Sequence, residues 1–433
     1  MDRAAPASAP VNLDFSPSGY LYATHPLHAF AARCPPPLAD WAISRYSQPG
    51  EVVLDPMAGS GTTLVEASLL GRRGHGVEID PLARRIASAK ATPVDLGRLE
   101  RAISRAESLL LHQTHELDDG WRPELPNLDK WFHPRVASQL AALRQVIRRV
   151  EADGDGAAAV PDLLWVVFSS LIVARTSVAN ARDLVHSRHH YQPRGDPPDV
   201  RLRFLARARQ AWAMMADYRR RLAAAGVEHL APRVELGDAR ALPLADGSVD
   251  LVFTSPPYCS ALDYTRAHVF AVAWMADVLG VSVEQYRALG RAYVGSERAP
   301  LAEAPEGGAP PPLGRPRVDE LVRGLAADRK RAWVVHRYFR DMERVLAECA
   351  RVVRPGGRVV LVVCPSNIRR VPVPTHELFV ELAEHLPARP TGRLEVEALH
   401  QRTLHDRRRV MPYLETAFGM RMRTEYVLIL RLA

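Results

Sequence analysis

Cysteine is scarce in this chain. Its four residues, Cys34, Cys259, Cys349 and Cys364, are scattered without paired spacing, which argues against a disulfide framework and against a zinc knuckle. No run approaches the ~20 apolar residues of a membrane span, and Met1-Asp2-Arg3-Ala4-Ala5-Pro6 has no apolar core of signal-peptide length. A soluble protein in a reducing cytoplasm is therefore expected, with no membrane partner. The adjacent pair His189-His190 has no cysteine or carboxylate at ligand spacing, so no metal site is expected. No fixed period repeats through the helical stretches, which excludes a solenoid.

Two further absences concern nucleotide chemistry. The segment Asp55-Pro56-Met57-Ala58-Gly59-Ser60-Gly61-Thr62-Thr63 follows the apolar run Glu51-Val52-Val53-Leu54 and leads into Leu64-Val65-Glu66-Ala67, so it reads as strand, glycine turn and helix. It has no lysine, which excludes a P-loop, and Leu64 stands where a dinucleotide fingerprint needs a third glycine. Gly59 and Gly61 can take positive φ and let a ligand approach the backbone. The helix N-terminus there favours an anion, and an amino-acid carboxylate would serve. Next comes Gly74-His75-Gly76-Val77-Glu78, a short strand ending in an acid, where α/β folds bind ribose hydroxyls.

A second segment, Thr254-Ser255-Pro256-Pro257-Tyr258, follows the buried-strand pattern Val249-Asp250-Leu251-Val252-Phe253. It should lie at a strand's carboxyl end, where open α/β sheets bind ligands. Prolines stiffen the loop and donate no N–H, leaving carbonyls free to accept. A nucleobase amine is a poor nucleophile because its lone pair is delocalised. If Ser255 and the Pro256 carbonyl accept its two N–H bonds, the nitrogen can aim its lone pair outward, with Tyr258 stacked on the base.

These two segments resemble the amino-methyltransferases of nucleic acids that use S-adenosylmethionine, and the Ser-Pro-Pro-Tyr form is most similar to N4-cytosine DNA methyltransferases. The resemblance covers residues 20 to 95, 233 to 275 and 335 to 433. It implies a Rossmann-like class I α/β fold, a seven-stranded mostly parallel sheet, plus a helical insertion. By position it implies that Asp55, Met57, Gly59, Gly61, Thr62, Glu78 and Asp238 bind S-adenosylmethionine, and that Ser255, Pro256, Pro257 and Tyr258 form the catalytic loop. Thr24-His25-Pro26-Leu27-His28-Ala29-Phe30 resembles the segment that closes over the methionine part of the donor. Tyr264 or Arg266 could also line the base pocket. The implied reaction is methyl transfer to the N4 amine of cytosine in DNA, with the base rotated out of the helix. N6-adenine methylation, an RNA amine, and a nucleic-acid-binding protein without turnover are the alternatives. Cys259 invites comparison with C5-cytosine chemistry, but amine methylation needs no covalent adduct.

At 433 residues and 47% hydrophobic content, the chain can bury one α/β core plus a smaller unit. Residues 1 to 18 are read as a mobile tail, 19 to 95 and 231 to 433 as the two parts of the methyltransferase domain, and 96 to 230 as a helical insertion for target recognition. A flexible excursion is expected at 296 to 316, one helix from Tyr264 to Leu279, and a long one from about Val318 to Val352. Arg423 to Arg431 should be the antiparallel last strand. The net charge of +8 suits a polyanion without fixing which one; it is the resemblance that implies DNA in preference to RNA. Its densest basic stretch runs Arg175, Arg182, His186, Arg188, His189, His190, Tyr191, Arg194, then Arg201 to Arg221, with a second at His405-Asp406-Arg407-Arg408-Arg409. Either suits phosphates, although Arg201 to Arg221 is also spaced like the solvated face of a helix.

Overall fold

The structure, a computed structural model, describes residues 13–15, 20–30, 33–112, 117–154, 158–173, 177–180, 196–228, 230–259, 264–298, 310–403 and 424–433. In chain order the elements are α1 (Pro36–Tyr46), β1 (Val52–Asp55), α2 (Thr62–Leu69), β2 (Arg73–Glu78), α3 (Pro81–Ala91), α4 (Leu96–His112), α5 (Leu128–Trp131), α6 (Pro134–Ala152), α7 (Ala159–Ile172) and α8 (Val200–Ala225). Then come β3 (Arg233–Leu236), β4 (Val249–Thr254), α9 (Tyr264–Trp274), α10 (Ala276–Leu279), α11 (Val283–Leu289), α12 (Pro316–Gly324) and α13 (Arg329–Val352). The remainder is β5 (Val353–Val363), β6 (Ser366–Ile368), β7 (Val371–Val373), α14 (Thr375–Glu384), β8 (Leu394–Thr403) and β9 (Thr424–Leu432).

Seven strands form one sheet in the order β3-β2-β1-β4-β5-β9-β8, and β9 runs opposite in direction to the other six. This is the expected mixed α/β fold. The alternation of strand side chains separates two layers. Val53, Leu251, Phe253, Val360, Val362 and Ile429 pack with Leu38, Ala42 and Ile43 of α1. Their neighbours Leu54, Val252, Val359, Leu361 and Leu428 face α13 and α14, where Phe339, Met342, Leu346 and Phe379 cover them. Helices α4 to α8 occupy the chain between α3 and β3, and their buried faces join those of α2, α3 and α9 in a third cluster. No helix among the described residues is long and apolar enough to cross a membrane.

Several elements differ from the sequence expectation. The long helix from Val318 is two helices, because Asp328 caps α13 by accepting the Arg331 N–H at 3.1 Å and so starts a new one after Gly324. The helix expected from Tyr264 to Leu279 breaks at Met275, which leaves helical geometry at φ −122°. Strand β5 starts at Val353 and takes in the Pro355-Gly356-Gly357 turn, with a register shift against β4 between Val249 and Leu251. Within the stretch read as a tail, Leu13 is buried in the α1 layer, and Asp14 accepts the Thr403 N–H at 2.6 Å. Most of the 296–316 excursion, residues 299–309, lies outside the described residues.

One backbone position fixes how closely the glycine turn meets α3. Gly61 caps α2 at φ +79°, and a Cβ there would sit 2.8 Å from the Ala87 Cα. Gly226 ends α8 at φ +69° in open space. Gly226→Ala should cost about 1 kcal/mol, the left-handed penalty alone. Gly61→Ala should cost clearly more, because helix backbone must move; denaturant unfolding of the two variants measures the difference.

Candidate active site

Parallel pairing of β1 with β4, in register Val53↔Leu251 and Leu54↔Val252, sets the carboxyl ends of the two strands side by side. The loops that leave them open onto one cleft of about 900 Å³, counting its mouth. Asp55, Met57, Gly59, Thr62, Glu78, Asp238, Ser255 and Pro257 all line it. Gly61, Pro256 and Tyr258 do not reach its wall. Gly61 acts in the turn behind it, and Pro256 is buried.

The glycine loop is held by carboxylates. Asp55 accepts the Thr63 hydroxyl at 2.5 Å and the Met57 N–H at 3.1 Å, and burial pushes its pKa up to about 6. Glu78 accepts the Gly59 N–H at 2.7 Å through one oxygen and the Asp80 N–H at 2.9 Å through the other. Burial lifts it to about 7. Asp80 caps α3 and also accepts the Tyr286 hydroxyl at 2.7 Å. Burial alone would raise its pKa, but His268 and Tyr286 outweigh that and hold it below the ordinary aspartate range. Asp238 is gripped by the Arg240 fork, whose remaining N–H groups reach Asp341 at 2.9 Å and the Ala292 carbonyl at 2.9 Å.

The Ser-Pro-Pro-Tyr loop is pinned from outside the cleft. Tyr338 of α13 donates to the Pro257 carbonyl at 3.0 Å, and Tyr258 donates to Glu425 of β9 at 2.9 Å. Gly295, at φ +78°, lies so close that a Cβ would be 2.9 Å from the Tyr258 carbonyl. Among the described residues, neither the Ser255 hydroxyl nor the Pro256 carbonyl has a hydrogen-bond partner. The loop is thus fixed by groups that leave two acceptors free.

A row of rings lines the cleft. Phe30 stacks on Tyr264 with centroids 5.7 Å apart, and Tyr264 lies nearly parallel to Tyr293 at 6.3 Å. All three line the cleft, as do Ala292, Val294, Arg240 and Asp80. Phe30 and Tyr264 were legible from the motifs that flank them. Tyr293 and Arg240 were not, since nothing in their local sequence marks them. Asp80 was readable only as a helix cap before Pro81.

The basic stretches contribute little that is described. Residues 174–176, 181–195 and 404–423, which carry Arg175, Arg182 to Arg194 and His405 to Arg409, lie outside the described residues. In α8, Phe204, Ala208, Met215 and Tyr218 are buried, while Arg201 pairs with Asp199 and Arg209 with Glu107. These arginines form the solvated face of a packed helix.

Comparison with known proteins returns methyltransferases. Residues 15–89 match the model of the N6/N4 methylase family, described as DNA methylase. The chain is 24% identical over 378 residues to type II methyltransferase M.MvaI of Kocuria varians, covering 83% of this chain and 80% of that one. It is 24% identical over 408 residues to type II methyltransferase M.BsoBI of Geobacillus stearothermophilus, covering 82% and 75%. Among solved structures, the rRNA methyltransferase aviRa from Streptomyces viridochromogenes aligns with a TM-score of 0.31 at 12% identity, over 94% of this chain and 89% of that one.

The raised pKa of Glu78 carries a stability cost with a definite sign. Its folded value of about 7 exceeds the ordinary 4.5, so the unfolded chain releases this proton first. Stability from this group is complete at low pH and falls as pH rises from about 4.5 to 7. Glu78→Gln should remove that slope, gaining on the native protein by up to roughly 3 kcal/mol between pH 4.5 and 8. Urea unfolding across that range measures it; parallel curves for the two proteins would contradict the assignment.

Proposed function

We propose that this protein transfers a methyl group from S-adenosylmethionine to an exocyclic amine of DNA, and specifically to the N4 amine of cytosine. The observation that carries the reading is the shared cleft: the glycine loop after β1 and the Ser-Pro-Pro-Tyr loop after β4 line a single cavity. The coarser reading, a DNA methyltransferase using this donor, draws support from the family match over residues 15–89 and from the two type II methyltransferases. The choice of cytosine rests on Ser255.

The residues fit the donor by their chemistry. Glu78 and Asp238 give the cleft acceptors at the ends of β2 and β3, where ribose and adenine would lie, and the N-terminus of α2 offers positive potential to a carboxylate. When bound, the sulfonium supplies an electrophilic methyl group. The chain's own work is positional. Ser255 and the Pro256 carbonyl, both without partners among the described residues, accept the two amine protons and turn the lone pair toward the cleft. Tyr338, through the Pro257 carbonyl, and Glu425, through Tyr258, keep that pair of acceptors still. A fixed geometry of this kind lowers the barrier by pre-paid orientation and by acceptors placed where positive charge develops on nitrogen. No shifted general base is required.

Incubation with labelled donor and separate DNA and RNA pools, followed by nucleoside mass spectrometry, tests the reading. The expected product is N4-methylcytosine in DNA; N6-methyladenine, or a methylated amine in RNA, would overturn the substrate assignment. Ser255→Ala should lower turnover at least about a hundredfold, the scale of one lost positioned acceptor, while leaving donor affinity unchanged.

A further inference from the structure

Two adjacent arginines hold a backbone conformation that this chain otherwise gives mostly to glycine. Strands β6 and β7 pair as a hairpin, Ser366↔Val373, Asn367↔Pro372 and Ile368↔Val371, which leaves Arg369 and Arg370 as its two-residue turn. Their φ angles are +53° and +68°, the type I′ pattern that Asn-Gly ordinarily fills. Among the described residues, Ala23 and Asn127 are the only other non-glycine positions with positive φ. Each such residue shifts the folding equilibrium about fivefold or more toward the unfolded chain. Both arginines are exposed, so neither offsets that cost by burial in the core. Strain kept at an exposed tip points to a role other than folding.

The hairpin stands on the catalytic edge of the sheet. Strands β4 and β5 run parallel in the register Thr254↔Leu361, so Ser255 to Tyr258 leave one strand on the edge where the hairpin, just beyond Val363, leaves the other. Ile368 and Val373 are buried in the layer that holds α13, which fixes the base of the hairpin. The tip is tied back by Arg369, whose Nε donates at 3.1 Å to Asp328, the residue that caps α13. Asp328 also accepts the Arg331 N–H, Arg331 pairs with Glu297 at 2.8 Å, and Gly295 lies against the Tyr258 carbonyl. A series of contacts thus runs from the tip to the Ser-Pro-Pro-Tyr loop. Charge at the tip is unbalanced, because Asp328 answers Arg369 while Arg370 has no partner among the described residues.

We propose that the Arg369-Arg370 turn is a backbone-phosphate contact for the DNA duplex flanking the target base, with Arg370 the binding residue and Arg369 holding the tip in place through Asp328. This rests on the reading of the substrate as DNA. Phosphate contacts set register and orientation without reading sequence. A guanidinium suits the task because its planar fork can take two oxygens of one phosphate. A short hairpin with a buried base keeps that fork at a fixed offset from Ser255, and the strained turn is what holds the offset short.

Fluorescence anisotropy of the full chain with a labelled mixed-sequence duplex, across a potassium chloride series, tests the contact. Arg370→Ala should weaken binding about tenfold at low salt, the scale of one charge-assisted hydrogen bond. It should also lower the slope of log affinity against log salt by about one, as expected for one lost phosphate contact. Arg370→Lys should keep most of that slope. Arg370→Gly should weaken DNA binding as alanine does and at the same time raise the urea midpoint above that of the native protein and of Arg370→Ala, because glycine takes φ +68° without penalty. Isothermal titration should show S-adenosylmethionine affinity unchanged in all three variants. DNA affinity and salt slope unchanged in Arg370→Ala and Arg370→Gly overturn the contact, as does a slope change seen with single-stranded RNA and not with the duplex. A native protein that binds no duplex at all fails the DNA reading itself, an outcome distinct from native binding that is indifferent to Arg370.

Discussion

Parallel pairing of β1 with β4 is the constraint on which the site depends. Two segments almost two hundred positions apart become neighbours only because hydrogen bonds at Val53↔Leu251 and Leu54↔Val252 bring both strands out on the same edge. Everything chemical then follows from what each strand carries at its end: a glycine turn that opens a helix N-terminus, and a proline-stiffened loop whose Ser255 and Pro257 line the cleft. The helical layers serve that edge. Helix α13 sends Tyr338 to the Pro257 carbonyl, and the segment after α11 sets Tyr293 in the cleft wall, parallel to Tyr264.

The carboxylates around the cleft show a division of labour. Asp55 and Glu78 spend their acceptor capacity on loop N–H and O–H groups, so they shape the cleft as much as they present charge to it. Both sit above their ordinary pKa because burial outweighs those bonds. Asp238 differs: Arg240 neutralises it and simultaneously ties β3, α13 and the Ala292 carbonyl together. One guanidinium fork thereby links three walls of the cavity, which suits arginine better than lysine because its donors are fixed in a plane.

Local pattern carried most of the fold. The strand segments Val53-Leu54, Leu251-Val252-Phe253 and Val359 to Val363 are apolar runs buried on both faces, and such runs are visible without any partner. Strand β8 was not visible, because Glu395, Glu397, Gln401 and Arg402 interrupt Leu394–Thr403 at positions facing outward or in ion pairs. The break before α13 turned on one aspartate capping a helix where apolar periodicity continues across it. At the site, glycine, proline and acid residues announced themselves by their backbone roles. Tyr293, Arg240 and the Tyr258–Glu425 contact did not, since each acquires its role from residues far along the chain: Tyr264 for Tyr293, Ala292 and Asp341 for Arg240, and Glu425 for Tyr258.

The place of β9 in the sheet has a consequence for biogenesis. It is the last strand in chain order, yet it fills an inner slot between β5 and β8, and it carries the Glu425 that fastens Tyr258. A nascent chain halted before Thr424 would leave β5 as a bare edge and the tyrosine untethered. The Ser-Pro-Pro-Tyr loop therefore gains its tyrosine anchor only once β9 has taken its slot between β5 and β8, which couples the order of the loop to completion of the sheet.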